Sequence, residues 1–319
     1  MRCLAADIGG TYSRLAWSGD CVAEDDQDQV FSNADFDSLE SVLDRGLTMH
    51  GSAGLPLDHM VLAVPGPVHD DPVVLTNIDW HLDRESLRDR FQVARLTVVN
   101  DFQAAALGAV AATVEDCRIL NNAEQDDGPV VVAGAGTGLG MAWLPQAQGT
   151  RLPQATEGGH LDFAPNNQDQ LALYRWLAVR YGHVSYERIL SGDGLLDTYR
   201  YVAGDGAKAS DPAQIAALAR RDDAHARDAV RMFVEIFAAY AGNLALAFSP
   251  TGGIYLCGGL TVHLAEWFDP DRFLAAYAAK GRMRAVVQRI PVFLVARHDI
   301  GLAGAKMLAK NYAGQIHEQ

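Results

Sequence analysis

Apolar residues cluster or alternate in eight short runs: Cys3 to Ile8, Ser13 to Trp17, Met60 to Val64, Leu96 to Val99, Val130 to Ala133, Gly140 to Leu144, Ile254 to Cys257 and Pro291 to Ala296. They are rich in Val, Ile and Leu and bounded by Gly, Pro, Asn or Asp, which predicts strands. Between and after them the period becomes helical. Asn167 to Tyr181 carries Leu171, Tyr174, Leu177 and Val179 and stops at Gly182, a suitable C-cap. Asp211-Pro212 opens another helix as N-cap and first-turn pair. The longest helix runs from about His225 to Phe248, where Val230, Phe233, Val234, Phe237, Tyr240, Ala241, Leu244 and Phe248 mark one broad apolar face that reads as core. Ser249-Pro250 ends it, and a last helix spans about Leu302 to Tyr312. Strands mixed with helices in this order predict an α/β fold.

An internal echo refines that reading. With Thr11 set on Thr137, "GTYSRLAW" aligns with "GTGLGMAW", and in both an apolar strand leads in and another leads out. Two strand–turn–strand units, about 126 residues apart, suggest two related domains, each giving one loop to a shared cleft. The length of 319 residues suits about two domains.

The net charge of −14 argues against a nucleic-acid binder, which needs clustered Lys and Arg, and is the charge of a solvated acidic surface. Cys3, Cys21, Cys117 and Cys257 are scattered, without C-x-x-C pairs or zinc-ligand spacing, and read as reduced thiols of a cytosolic protein. Asp7 interrupts the first apolar run too early for a signal-peptide core, and no run approaches the ~18 apolar residues of a membrane span. A soluble, cytoplasmic protein without a membrane partner is the expectation.

Chemistry concentrates in a few loops. Gly9-Gly10-Thr11 reads either as an ordinary hairpin turn or as a loop that offers backbone N–H groups and a hydroxyl to an anion. With Gly136-Thr137-Gly138 as its counterpart, a pair of such loops could grip a polyphosphate such as ATP from both sides. Asp7 would then sit beside the phosphates, tolerable only with Mg²⁺ between them, reached through water. The dinucleotide fingerprint fails, because Leu139 or Met141 falls where its last glycine belongs, and no G-x-x-x-x-G-K-[ST] run is present.

In "LTVVNDFQAAALG", Asn100 and Asp101 either cap the helix that follows or put a carboxylate at the carboxyl end of a strand, where it could take a proton from a hydroxyl. In "ATEGGHLDFAP", Glu157 and His160 stand three apart around a glycine pair that disfavours helix, so a loop presenting them to neutral hydroxyls fits better than a metal site. Glu187, behind Ser185, reads alone as a first-turn acid favoured by a helix dipole.

Taken together, "LAADIGGTYSRLAW", "LTNIDW", "VVNDFQAAALG", "GAGTGLGMAWL", "EGGHLDFAP", "HVSYERILSG" and "GGIYLCGGL" resemble the bacterial glucokinase family, in the hexokinase branch of the sugar kinase, actin and Hsp70 superfamily. The motifs occur in the family's order over nearly the whole chain. The resemblance implies an α/β, two-domain actin-like ATPase (ribonuclease H-like) fold with an interdomain cleft. Residues 1–100 plus about 302–319 would form the small domain, which closes by a hinge motion, and 101–301 the large one. It implies a glycolytic glucokinase of the cytoplasm that uses ATP and Mg²⁺ on D-glucose, and a homodimer.

By the same resemblance Asp7, Gly9, Gly10 and Thr11 match the first phosphate loop with its Mg²⁺-proximal acid, and Gly136, Thr137 and Gly138 the second. Gly258 and Gly259 match the turn against the adenosine, and Asn100, Asp101, Glu157, His160 and Glu187 the sugar-binding residues, with Asp101 as base. Tyr12 departs from the usual Asn after Gly-Gly-Thr, and Asp193 from the usual "LSGPGL". The chain lacks the zinc-binding cysteine cluster of the related repressor and kinase group. A kinase for another hexose or amino sugar, or a non-catalytic sugar-binding regulator, would use the same fold.

Overall fold

The computed structural model describes residues 2–19, 27–76, 78–145 and 153–316, so Cys21 and the Asn77 of "LTNIDW" lie outside the described residues. The chain divides into two compact units, Met1–Ala111 with Asp299–Gln319, and Ala112–His298.

The first unit contains β1 (Arg2–Ile8), β2 (Tyr12–Gly19), β3 (Gln29–Ser32), α1 (Leu39–Met49), β4 (Leu57–Val64), the short pair β5 (Val73–Val74) and β6 (His81–Leu82), α2 (Arg84–Arg90), β7 (Val93–Asn100), α3 (Asp101–Val110) and a closing helix, Ile300–Ile316. Its main sheet has the order β3-β2-β1-β4-β7, with β4 parallel to β1 and β7, and β2 antiparallel to β1 and β3.

Strand alternation sorts β1 onto two faces. Leu4, Ala6 and Ile8 join a core with Leu15, Leu39, Leu43 and Leu62, whereas Cys3 and Ala5 pack with Val61, Ala63, Ala104, Ala305 and Ala309. The small residues of the second face admit α3 and the closing helix at close range. A Cβ on Gly304 would meet the Ala104 carbonyl oxygen at 1.7 Å, and one on Gly108 the Ile300 carbonyl oxygen at 2.0 Å. The boundary expected at residue 100 therefore falls after Ala111, because α3 is locked to the closing helix through those glycines; the second boundary precedes Asp299 rather than Leu302.

The second unit contains β8 (Cys117–Asn121), β9 (Val130–Ala135), β10 (Leu139–Leu144), β11 (Gln154–Thr156), α4 (Gln168–Tyr181), α5 (Gly192–Ala203), α6 (Pro212–Arg220), α7 (Ala224–Phe248), β12 (Ile254–Cys257), α8 (Gly259–His263), α9 (Pro270–Tyr277), α10 (Arg284–Val287) and β13 (Val292–Val295). Its sheet order is β11-β10-β9-β12-β13-β8, with β9, β12 and β13 parallel and β10 antiparallel to β9. The hairpin β9–β10 thus stands in its sheet as β1–β2 stands in the other, and both sheets continue through two further parallel strands. That is the internal echo realised in backbone.

The caps follow the sequence. Asn167 accepts the Gln170 N–H at the start of α4, Asp211 the Gln214 N–H at the start of α6, and Gly182 ends α4 at φ 73°. Helix α7 is long and apolar enough to cross a membrane, yet Phe233, Phe237, Tyr240 and Leu244 are buried in the unit's own core, a burial worth about 1.5–3 kcal/mol for each of the Phe and Leu side chains. Cys117 and Cys257 are free thiols.

Candidate active site

In the first unit, β1 delivers Asp7 and then turns. Asp7 shares the odd-numbered face of β1 with Cys3 and Ala5, the side on which α3 and the closing helix pack. A Cβ on Gly301 would stand only 2.6 Å from Asp7 Oδ2, so a larger residue there would force the carboxylate or the closing helix to shift. The Arg14 guanidinium is 3.8 Å away, and the Asp7 side chain is 15% exposed. Burial lifts its pKa to about 6 against the opposing pull of Arg14.

The turn after Asp7 is closed by the Gly9 N–H donating to the Tyr12 carbonyl at 2.9 Å. The Gly9 and Thr11 carbonyls accept from Asn33, through Nδ2 at 2.8 Å and the backbone N–H at 2.9 Å. Among the described residues, the N–H groups of Gly10 and Thr11 donate to no protein acceptor. This loop can therefore offer donors to an anion. Tyr12 is 48% exposed and contributes its backbone to the hairpin rather than a side chain to the core.

Asn100 and Asp101 lie where β7 passes into α3. Asn100 is the N-cap: its Oδ1 accepts the Phe102 N–H at 3.0 Å, its own N–H donates to Gln103 Oε1, and its Nδ2 donates to the Gly66 carbonyl at 3.1 Å. Asp101 Oδ1 accepts the Phe102 N–H at 2.7 Å. Burial, and then the charge of Asp7, raises the Asp101 pKa to about 6. Asn100 and Asp101 thus share the Phe102 N–H at the start of α3.

In the second unit, "EGGHLDF" and "HVSYER" are stitched together as extended backbone. The Phe163 N–H donates to the Val184 carbonyl, and the Tyr186 N–H to the Leu161 carbonyl. Gly158–His160 and Tyr186–Arg188 form short 3-10 turns on either side of this pairing. His160 Nε2 consequently lies 3.8 Å from both Glu157 Oε2 and Glu187 Oε1. Glu187 is not in the first turn of an α-helix as its sequence context suggests; α5 starts only at Gly192, capped by Ser191.

The second glycine loop meets the same cluster. The Gly136 N–H donates to the Gly138 carbonyl, the Gly136 carbonyl accepts from Gly192 at the start of α5, and the Leu139 N–H donates to Glu187 Oε2 at 2.9 Å. Among the described residues, the N–H groups of Thr137 and Gly138 have no protein acceptor, as in the first loop. A Cβ on Gly159 would stand 2.0 Å from the Leu139 carbonyl oxygen, so glycine is what lets the His160 turn lie against β10. Gly258, at φ 98°, follows β12 with its Cα side against Ala135, where a Cβ would meet the carbonyl oxygen at 2.4 Å; Gly259 has open space beside it. Asp193 is an exposed acid in the first turn of α5, favourable to that helix.

The expected residues thus gather in two groups, Asp7, Gly9, Gly10, Thr11, Asn100 and Asp101 in one unit, and Gly136, Thr137, Gly138, Glu157, His160, Glu187, Gly258 and Gly259 in the other. Asn33, Ser13 and Gly301 are additions that the sequence did not single out. Asn33 lies in "FSNADF", whose only signal is an Asn in a turn.

The sequence model of the glucokinase family matches residues 4–312. A glucokinase of Chromohalobacter salexigens is 37% identical over 306 residues, covering 95% of both chains. One of Yersinia enterocolitica is 34% identical over 307 residues, covering 95% of this chain and 94% of its own. The crystal structure of a glucokinase from an Antarctic psychrotroph superposes with a TM-score of 0.84 at 30% identity, over 97% of this chain and 99% of that one. A ROK family glucokinase from Streptomyces griseus, solved in complex with glucose and AMPPNP, shares the fold at a TM-score of 0.65 and 20% identity. With the motifs matched from end to end, the chain belongs to the glucokinase family.

Proposed function

We propose that the protein transfers the γ-phosphoryl group of ATP to the 6-hydroxyl of D-glucose, giving glucose 6-phosphate and ADP, with Asp101 as the base. Membership of the glucokinase family carries ATP and the hexose. The observation that carries the assignment of the base is the Asp101 carboxylate, whose pKa of about 6 leaves it ionised at neutral pH yet more basic than an ordinary aspartate.

Asn100 would orient the sugar beside Asp101, and Glu157, His160 and Glu187 would pair with further hydroxyls. Polar groups matched in this way, once a sugar covers them, penalise analogues that leave them without partners. Gly10, Thr11, Thr137 and Gly138 would give their N–H groups to the phosphates, and Gly258-Gly259 would lie along the adenosine. Preorganised donors of this kind lower the barrier by stabilising charge on the transferring group.

The surroundings of Asp7 fit Mg²⁺. The charge of Asp7 raises the affinity of the nearby Asp101 carboxylate for a positive charge, and among the described residues the cation paired with Asp7 is Arg14 at 3.8 Å. Among the described residues no three His, Cys, Asp or Glu side chains cluster for direct ligation. Asp7 would therefore hold the ion through water, and the ion would supply charge neutralisation of the phosphates.

The test is Mg·ATP-dependent formation of glucose 6-phosphate by the purified protein, alongside Asp101→Asn. We expect activity in the wild type and a loss of roughly 10² to 10⁴ in kcat in the variant, with sugar binding kept. An unchanged kcat in the variant would refute the role of Asp101. Sugar binding without turnover in the wild type, with other sugars and donors also silent, would favour a regulator.

A further inference from the structure

We infer that Asn33 is a positioning residue for nucleotide binding, acting through the loop Gly9–Thr11; the inference rests on the reading of that loop as a phosphate loop. Asn33 is buried, 4% exposed, and its side chain reaches from a different segment of the chain into the back of the loop. Its Nδ2 donates to the Gly9 carbonyl at 2.8 Å, its Oδ1 accepts from Ser13 Oγ at 2.7 Å, and its backbone N–H donates to the Thr11 carbonyl at 2.9 Å. The amide thus spans the turn, from its first glycine to the first buried residue of β2.

The physical need for such a clamp is specific. Two adjacent glycines and a threonine have many backbone states, and glycine loses the most entropy when fixed in one of them. An anion is attracted by N–H groups and repelled by carbonyl oxygens, so a loop that samples flipped peptides binds phosphate only in the fraction of time spent in the right state. Asn33 engages the Gly9 and Thr11 carbonyls, and the Gly9 N–H engages that of Tyr12, which leaves the Gly10 and Thr11 N–H groups without protein acceptors.

Asn33 is itself fixed. Its carbonyl accepts the Phe36 N–H at 3.1 Å, and Phe36 packs edge-on against Phe31 with ring centroids 5.7 Å apart, next to the core of the first unit. Asparagine suits the position because it donates and accepts through one planar group. Aspartate would set an acceptor against the Gly9 carbonyl, and alanine would leave that carbonyl and the Ser13 hydroxyl without their partner.

The test compares wild type, Asn33→Ala, Ser13→Ala and Asn33→Asp by calorimetric titration with Mg·AMPPNP, a non-hydrolysable ATP analogue, and by KM for ATP and for glucose. Asn33→Ala is expected to raise the AMPPNP Kd and the ATP KM roughly five- to fiftyfold while glucose KM stays within about twofold. Ser13→Ala, which keeps the Asn33 contact to Gly9, should shift the same constants in the same direction by less. Asn33→Asp should be at least as damaging as alanine. A folded Asn33→Ala protein with a lowered Tm and wild-type AMPPNP affinity would overturn the inference, leaving Asn33 a purely structural residue. If Asn33→Ala does not fold, Ser13→Ala decides, and an unchanged AMPPNP Kd there overturns it as well. Wild-type protein that neither binds Mg·AMPPNP nor phosphorylates glucose overturns the proposed function itself, and the inference with it.

Discussion

The Glu187 carboxylate accepts the Leu139 N–H through Oε2 at 2.9 Å, while its Oε1 lies 3.8 Å from His160 Nε2. One side chain therefore belongs both to the loop Gly136–Gly138 and to the polar cluster proposed to hold the sugar. Glu157 Oε2 lies 3.8 Å from the same His160 Nε2 and is 92% exposed, and among the described residues it has no such link to the loop.

The two glutamates should separate in kinetics. Glu187→Ala is expected to raise KM for glucose and for ATP, each roughly tenfold, because it removes a hydroxyl partner and a support of the loop together. Glu157→Ala should raise KM for glucose and leave that for ATP within about twofold. Initial rates with each substrate varied in turn decide it; equal ATP KM values in wild type and Glu187→Ala would remove the loop from the role of Glu187.

The reciprocal substitution is Gly138→Ala. A Cβ there would stand 2.6 Å from Glu187 Oε2, so the carboxylate must leave its bond with Leu139 or the loop must shift. A change in a phosphate loop should then weaken glucose, with KM up roughly three- to thirtyfold. Fluorescence titration with glucose in the absence of nucleotide gives a direct check.

If Asp101 is the base proposed above, its protonation should set the acid limb of activity. A base of pKa about 6 must be deprotonated, so kcat/KM should fall as pH drops through about 6, approaching about tenfold per pH unit. An acid limb centred near pH 4 would contradict the assignment.

The same group governs stability with the opposite preference. Its folded pKa is raised, so the native state holds a proton between pH 4 and 6 that the unfolded chain has released, and stability is lost as pH rises through about 6. Asp101→Asn should therefore stabilise the free protein at pH 7 by up to about 3 kcal/mol, a gain that vanishes below about pH 4. Urea unfolding of both proteins at pH 4 and pH 7, without Mg²⁺ or nucleotide, measures it.

Packing of α3 on the closing helix depends on two glycines. Gly304→Ala would drive a Cβ to 1.7 Å from the Ala104 carbonyl oxygen, a backbone atom that cannot swing aside. A loss of about 2–4 kcal/mol in unfolding free energy is expected, read as a lower midpoint in urea at unchanged slope.

What the sequence makes legible follows from pattern length. Ile254–Cys257 is recovered residue for residue, and α7 to within one residue of its start, because a buried strand and a broad apolar stripe are strong local signals. Strand β3 and strand β11, "QVFS" and "QAT", are too short or too polar to alternate visibly, and α2, "RESLRDR", is nearly all charge. The glycine loops and the acidic residues stand out because their residue types are rare in element interiors. Their partners do not: the Leu139 N–H that meets Glu187 is a backbone group, and the raised pKa values of Asp7 and Asp101 arise from burial that only the packing of α3 and the closing helix creates.

The first unit draws its last helix from residues made after the whole of the second unit. During synthesis, β1 and β4 leave the ribosome with the face carrying Cys3, Ala5, Val61 and Ala63 still bare, until Ala305 and Ala309 follow. The second unit, continuous from Ala112 to His298, has all its own strands by then. Vectorial folding should thus complete the second unit first, and the surroundings of Asp7, bordered by Gly301, are completed only after that helix has been made.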